Sequence, residues 1–196
     1  MNHPLRKMPG TTIVAVHRDG VSAIAGDGQV TLGDTIVKKG AVKVRELGDG
    51  KVLAGFAGAT ADAFTLLEKF EGYLSSYKGN LLKSAVETVK EWRTDKMLRN
   101  LEAMMIVVDS ERVLMLSGVG DVVSPDNAVA ATGSGGPYAQ AAAVALLENT
   151  SFSAEDIVRK AIQIAAEIDI YTSGNATVLT VGGDAEEDTV EEEDKS

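Results

Sequence analysis

Thr12-Ile13-Val14-Ala15-Val16-His17-Arg18-Asp19-Gly20-Val21-Ser22-Ala23-Ile24-Ala25 holds two short apolar runs around Arg18-Asp19-Gly20. An Asp-Gly dipeptide between two such runs signals a hairpin of antiparallel strands. Further on, Val42-Lys43-Val44-Arg45-Glu46-Leu47 alternates with a period of two. Lys51 to Ala57 follows it across Gly48-Asp49-Gly50 and makes a second hairpin.

The period then changes. From Ala61 to Tyr77, Phe64, Leu66, Leu67, Phe70 and Leu74 fall at helical spacing, and Leu81, Leu82, Ala85, Val86, Val89 and Trp92 share one face of a second helix. Lys78-Gly79-Asn80 separates the two, which predicts an antiparallel helix pair. Ala103–Asp109 and Arg112–Ser117 form another strand pair, joined around Ser110-Glu111. After Gly133-Ser134-Gly135-Gly136-Pro137 come an alanine-rich helix, Ala139 to Glu148, and a helix from Ala154 to Ile168 with Ser153 as its N-cap. Val178-Leu179-Thr180-Val181 closes the domain as a strand. Strands and helices thus arrive in blocks, which argues against a doubly wound parallel sheet. The order suits an α+β fold, a four-layer α/β/β/α sandwich of two antiparallel sheets between helix layers.

Composition narrows the chemistry. The 196 residues suit one domain with a large core. The net charge of −10 is unevenly spread: residues 184–196 carry eight acids against one lysine. Such a block of like charge is too repulsive to pack and reads as a disordered tail. Residues 1–10, with Pro4 and Pro9 and no periodicity, read as a disordered leader, leaving 11–183 as the globular domain. The body lacks the basic stripe that nucleic-acid binding needs. The absence of cysteine excludes disulfides, thiolate catalysis and Cys-ligated metals. No apolar run approaches membrane-spanning length, and the first residues lack the apolar core of a signal peptide, so a cytoplasmic protein is expected.

Only two histidines are present, His3 in the leader and His17 at the end of the first strand. Both are expected at the surface, outside any triad or metal motif. An enzyme built from this chain must therefore take its base from a carboxylate, a lysine or an amine. Gly26-Asp27-Gly28-Gln29-Val30-Thr31-Leu32-Gly33 lacks the Gly-Lys-Ser/Thr ending of a phosphate-binding loop. Gly133-Ser134-Gly135-Gly136 could hold an anion at a helix entry, but a tight turn demanding small residues is the preferred reading.

Thr11 and Thr12 alone mean no more than a strand start. Several strings stand with them: Gly26-Asp27-Gly28, Val42-Lys43-Val44-Arg45, Gly55 through Leu66, Lys90-Glu91-Trp92-Arg93-Thr94-Asp95 and Gly133 through Ala142. In this order they resemble the bacterial proteasome-like threonine peptidases, from Thr11 to about Thr180. The resemblance implies the N-terminal-nucleophile form of the same four-layer sandwich.

It also implies roles. Thr11 would be the nucleophile, made N-terminal by removal of residues 1–10, with its own α-amine as base; Thr12 is the competing start. Lys43 would be the active-site lysine and Asp27 the acid that orients it. Gly55 would offer its backbone N–H to the oxyanion, and Ser134 a hydroxyl beside the threonine amine. Read alone, Lys43 is an exposed charge on an alternating strand and Asp27 a turn residue. A monovalent cation, usually Na+, is implied on the backbone carbonyls of Ala166, Asp169 and Thr172. Glycine is frequent at the first of these positions and cysteine at the second, so the Asp169 carboxylate either adds a ligand or faces solvent. The implied partners are an HslU-type AAA+ unfoldase, unfolded protein substrates, and copies of this chain in a double-ring homododecamer of two hexamers. Two other classes stay open: a catalytically silent ring subunit and a non-peptidase amidohydrolase of the same architecture.

Overall fold

The structure is a computed structural model that describes residues 10–58, 60–95, 98 and 103–183. The expectations for the leader, for His3 and for the acidic tail fall on residues 1–9 and 184–196, outside the described residues.

The opening hairpin forms as the sequence predicts. β1 (Thr12–Arg18) pairs antiparallel with β2 (Val21–Asp27), with Ile13 opposite Gly26 and Arg18 opposite Val21. Asp19 and Gly20, both at positive φ, make the turn. Two strands flank this hairpin, β10 (Val129–Gly133) beside β1 and β11 (Ala176–Gly182) beside β2, giving the order β10-β1-β2-β11. The second sheet runs β5-β6-β7-β8-β9, from β5 (Val44–Leu47) and β6 (Val52–Ala57) to β7 (Met104–Val108), β8 (Val113–Ser117) and β9 (Val122–Val123).

The four layers follow from which way side chains point. Successive residues of a strand face opposite sides of its sheet. Ile13 and Ala15 of β1 meet Ile24, Val44, Leu53, Ile106 and Val108 between the two sheets. Val14 and Val16 face outward, onto the helices α3 (Gly136–Asn149) and α4 (Ala154–Ile168). On the other sheet, Val52, Ala54, Phe56, Met105 and Val107 pack against α1 (Thr60–Ser76) and α2 (Leu81–Thr94). Strands buried on both faces read as continuous apolar runs, which is why Thr12–Val16 showed no alternation.

Several expectations shift. The inward face of α2 is Leu81, Ser84, Ala85, Thr88, Val89 and Trp92, while Leu82 is exposed. Ser84 and Thr88 tolerate burial because their hydroxyls donate to the Asn80 and Ser84 carbonyls. Phe64 is also exposed, and carries the Arg45 guanidinium over its ring. A small hairpin of β3 (Val30–Leu32) and β4 (Thr35–Lys38) was not anticipated, and neither was β10. The alternating strand starts later than expected, at Val44, so Lys43 stands just before it. His17 is half-buried, with Nδ1 3.0 Å from Ser22 Oγ. No described helix is long and apolar enough to cross a membrane.

Candidate active site

Thr11 sits immediately before β1 and is buried, 6% exposed. Its carbonyl accepts the Ser134 N–H at 2.9 Å, which holds the start of β1 against the turn between β10 and α3. On the adjoining strand β2, the last residue is Asp27, fully buried. Its Oδ1 accepts the Lys43 ammonium at 2.7 Å and the Thr12 N–H at 2.7 Å; its Oδ2 accepts the N–H groups of Gln29 at 2.9 Å and Ser173 at 3.2 Å. Charge-assisted bonds of this kind are the strong ones, and together they leave the carboxylate no freedom to turn.

Lys43 is therefore no exposed strand charge: its side chain is 10% exposed. Besides Asp27, its ammonium donates to the Gln29 carbonyl at 2.6 Å and the Gly10 carbonyl at 3.1 Å. Burial pulls the Lys43 pKa below its ordinary value, and the Asp27 carboxylate only partly restores it. A buried lysine paired with one carboxylate beside a strand start is a candidate functional group. The acceptor at Gly10 is the carbonyl of the Gly10–Thr11 bond itself.

Gly55 lies in β6 opposite Val44, one residue from Lys43 in the neighbouring segment. A Cβ here would stand 2.7 Å from Ile13 Cγ2 and 3.0 Å from Ile24 Cδ1. The need for glycine at this position is thus already met by packing between the sheets. Ser134 is joined to Thr11 through its backbone N–H, and its hydroxyl donates at 2.7 Å to Asp169 Oδ2.

Asp169 is half-buried, and its carboxylate is engaged within the chain: Oδ2 receives Ser134 and Thr172 hydroxyls, the latter at 2.5 Å, and Oδ1 accepts the Tyr171 N–H at 3.2 Å. Its backbone ends α4 as the C-cap. Thr172 is buried and its hydroxyl lies 2.6 Å from that of Thr12. Sequence reasoning treated Thr12 only as a rival start. In the structure its hydroxyl also accepts the Gly135 N–H at 3.0 Å, so it is committed to the scaffold. Gln29 and Ser173, whose backbone groups line the Asp27–Lys43 pair, were missed altogether; backbone contacts leave no mark on residue type.

The Gly-rich turn is the helix entry preferred over an anion site, and the Gly135 N–H is spent on Thr12. A Cβ on Gly135 would lie 2.4 Å from Thr172 Oγ1 and 2.5 Å from Thr12 Oγ1, so only glycine fits. Among the described residues no group of three His, Cys, Asp or Glu could hold a metal. The carbonyls of Ala166, Asp169 and Thr172 sit at the end of α4 and in the turn beyond, that of Asp169 accepting the Thr172 N–H at 3.0 Å. No basic side chain occupies the last turn of α4, so the negative end of its dipole is uncompensated there. Hard oxygen donors in that field fit a small hard cation.

A hydroxyl-bearing residue at a strand start, a buried Lys–Asp pair beside it and two antiparallel sheets between helix layers define the proteasome class of hydrolases. The proteasome subunit family model matches residues 8–181. The chain is 56% identical over 168 residues to the ATP-dependent protease subunit HslV of Pseudothermotoga lettingae, covering 86% of this chain and 96% of that protein. It is 55% identical over 169 residues to HslV of Treponema denticola, covering 86% and 95%. The crystal structure of eukaryotic HslV from Trypanosoma brucei superposes with a TM-score of 0.83 at 42% identity, covering 88% of this chain and 99% of that one. The chain belongs to the proteasome family, and within it to the HslV branch of protease subunits. A Thiobacillus denitrificans protein, BPH, shares the fold alone, at 18% identity and a TM-score of 0.66.

Proposed function

We propose that this chain is the threonine-type peptidase of an ATP-dependent protease, with Thr11 as nucleophile. The observation that carries the reading is the buried Lys43–Asp27 pair at 2.7 Å, whose ammonium also reaches the carbonyl that precedes Thr11. A threonine hydroxyl is a weak nucleophile and needs a neighbouring base. Cutting the Gly10–Thr11 bond supplies one, because a free α-amine titrates near about 7.7–8.0 and is partly neutral at working pH. Loss of Gly10 also releases one Lys43 acceptor, leaving a buried cation facing the nucleophile. There it favours the neutral amine and stabilises the developing alkoxide, while Asp27 keeps it in place.

The amine, directly or through a water, takes the hydroxyl proton as Thr11 Oγ1 attacks the peptide carbonyl. The Gly55 N–H that the resemblance assigns to the oxyanion is turned toward Ile106 in the sheet, so the charge on the tetrahedral oxygen is met by the Lys43 ammonium. The amine then returns the proton to the leaving nitrogen, and water hydrolyses the ester. Ser134, whose hydroxyl proton is turned toward Asp169, offers an oxygen lone pair to the amine. The carbonyls of Ala166, Asp169 and Thr172 would hold a monovalent cation, Na+ by preference, which steadies the turn that carries Asp169 and Thr172. Unfolded polypeptide would be delivered by an HslU-type AAA+ partner to a cytoplasmic double ring of two hexamers.

The test is Thr11→Ala, assayed with a fluorogenic peptide with and without the AAA+ ATPase, alongside the intact mass of the mature chain. The expected result is a folded, assembled protein without hydrolysis. An active enzyme that still carries residues 1–10 would overturn the reading.

A further inference from the structure

We infer that Thr12 is a positioning residue for the nucleophile, acting through its hydroxyl; this rests on Thr11 being the attacking residue. Proton counting gives the direction of each bond. The Thr172 hydroxyl has one proton and donates it to Asp169 Oδ2. It therefore accepts from Thr12, and the 2.6 Å contact is Thr12 O–H to Thr172 Oγ1. A lone pair of Thr12 Oγ1 meanwhile takes the Gly135 N–H. Asp169 Oδ2 receives Ser134 as its second hydroxyl, and the Ser134 N–H holds the Thr11 carbonyl. That carbonyl is bonded to the nitrogen of Thr12, so the path closes on itself. One ring of hydrogen bonds thus ties the start of β1 to the β10–α3 turn and the α4–β11 turn.

Packing alone does not account for this arrangement. A buried valine would fill the same space, yet the missing Cβ at Gly135 leaves room for the hydroxyl pair itself. The ring gains its importance once the chain is cut before Thr11. A new terminus frays unless it is tied down, and Thr11 is then held through its own carbonyl and through residue 12. Displacement of a reacting group by about 1 Å costs on the order of 100-fold in rate. Thr12 never touches the substrate; it acts by fixing the residue that does.

The experiment compares Thr12→Val, Thr12→Ser and Thr172→Val in the full chain with its ATPase partner, with Thr11→Ala as the control. Active sites are counted from the burst of product on mixing with a fluorogenic peptide ester, so that kcat is expressed per competent site. Expected for Thr12→Val is a kcat lower by about 10- to 100-fold with KM within about twofold, and faster amide exchange at residues 12 and 13. Thr12→Ser, which restores the hydroxyl, returns kcat to within about threefold of the starting enzyme. Thr172→Val breaks the same bond from the other side and gives the same phenotype; it carries the test should Thr12→Val not assemble. Unchanged kcat in the valine variants, or a fall in the number of competent sites with normal turnover at each, overturns the inference. An active Thr11→Ala enzyme would instead remove the nucleophile assignment on which it rests.

Discussion

Lys43 concentrates the electrostatics of the site in one residue. Its ammonium is nearly out of water and compensated by a single carboxylate, so Lys43→Ala leaves Asp27 buried without its cation. Breaking a buried pair from one side costs about 3–5 kcal/mol, and hydrolysis is expected to fall by at least about 100-fold. Thermal unfolding and peptide hydrolysis on the same preparation separate the two losses. The pH dependence follows from the direction of the Lys43 shift. Its pKa in the folded chain lies below the ordinary 10.5, so between those two values the unfolded chain binds more protons. The contribution of Lys43 to stability accordingly rises with pH across that interval. Activity is expected to run the other way there, because the cation on which the proposed mechanism relies is being lost. A rate profile is expected to rise as the Thr11 amine deprotonates and to fall on an alkaline limb below 10.5. A plateau persisting past that value would refute the role of the charge.

At the scale of elements, α4 delivers the residues after its C-terminus to the site. Ser153 caps its start, its hydroxyl accepting the Asp156 N–H at 3.1 Å, and Glu155 and Asp156 lie on its positive end. The inward face is Ile157, Val158, Ala161, Ile162 and Ala165, which recur at helical spacing. Ser153→Ala is expected to cost about 1 kcal/mol, read as a lower denaturation midpoint. The peptidase rate should hold, since packing against the sheet and not the cap places Asp169. Gly135→Ala belongs to the same scale with the opposite balance. Its Cβ would collide with both threonine hydroxyls, so a loss of activity is expected that exceeds any loss of Tm. Comparing the rate per competent site with the melting curve checks this.

Over the whole molecule, the charge of −10 is concentrated in the tail, where residues 184–196 carry eight acids against one lysine. The family match stops at Val181, before the acidic block 184–196 begins. A chain ending at Gly183 is therefore expected to fold with an unchanged Tm and to hydrolyse peptides at the parental rate, checked by calorimetry and the fluorogenic assay. Two helix pairs cover two sheets, and each layer is legible because its periodicity is imposed by one buried face. Thr12–Val16 was legible as a short apolar strand, and Ala154–Ile168 as a helix opened by the Ser153 cap. The hairpin β3–β4 escaped notice because Leu32, Ile36 and Val37 are exposed, so no burial pattern marks it. By itself the sequence determined the block order of strands and helices and the scarcity of histidine and cysteine; its resemblance supplied Thr11, Asp27, Lys43, Gly55 and Ser134 as candidates. Only the tertiary structure decided that Asp169 turns inward to Ser134 and that Thr12 and Thr172 share a bond across 160 positions. Periodicity is a local consequence of burial and can be read along the chain. A hydrogen bond between distant segments depends on where packing brings them, and leaves no spacing to read.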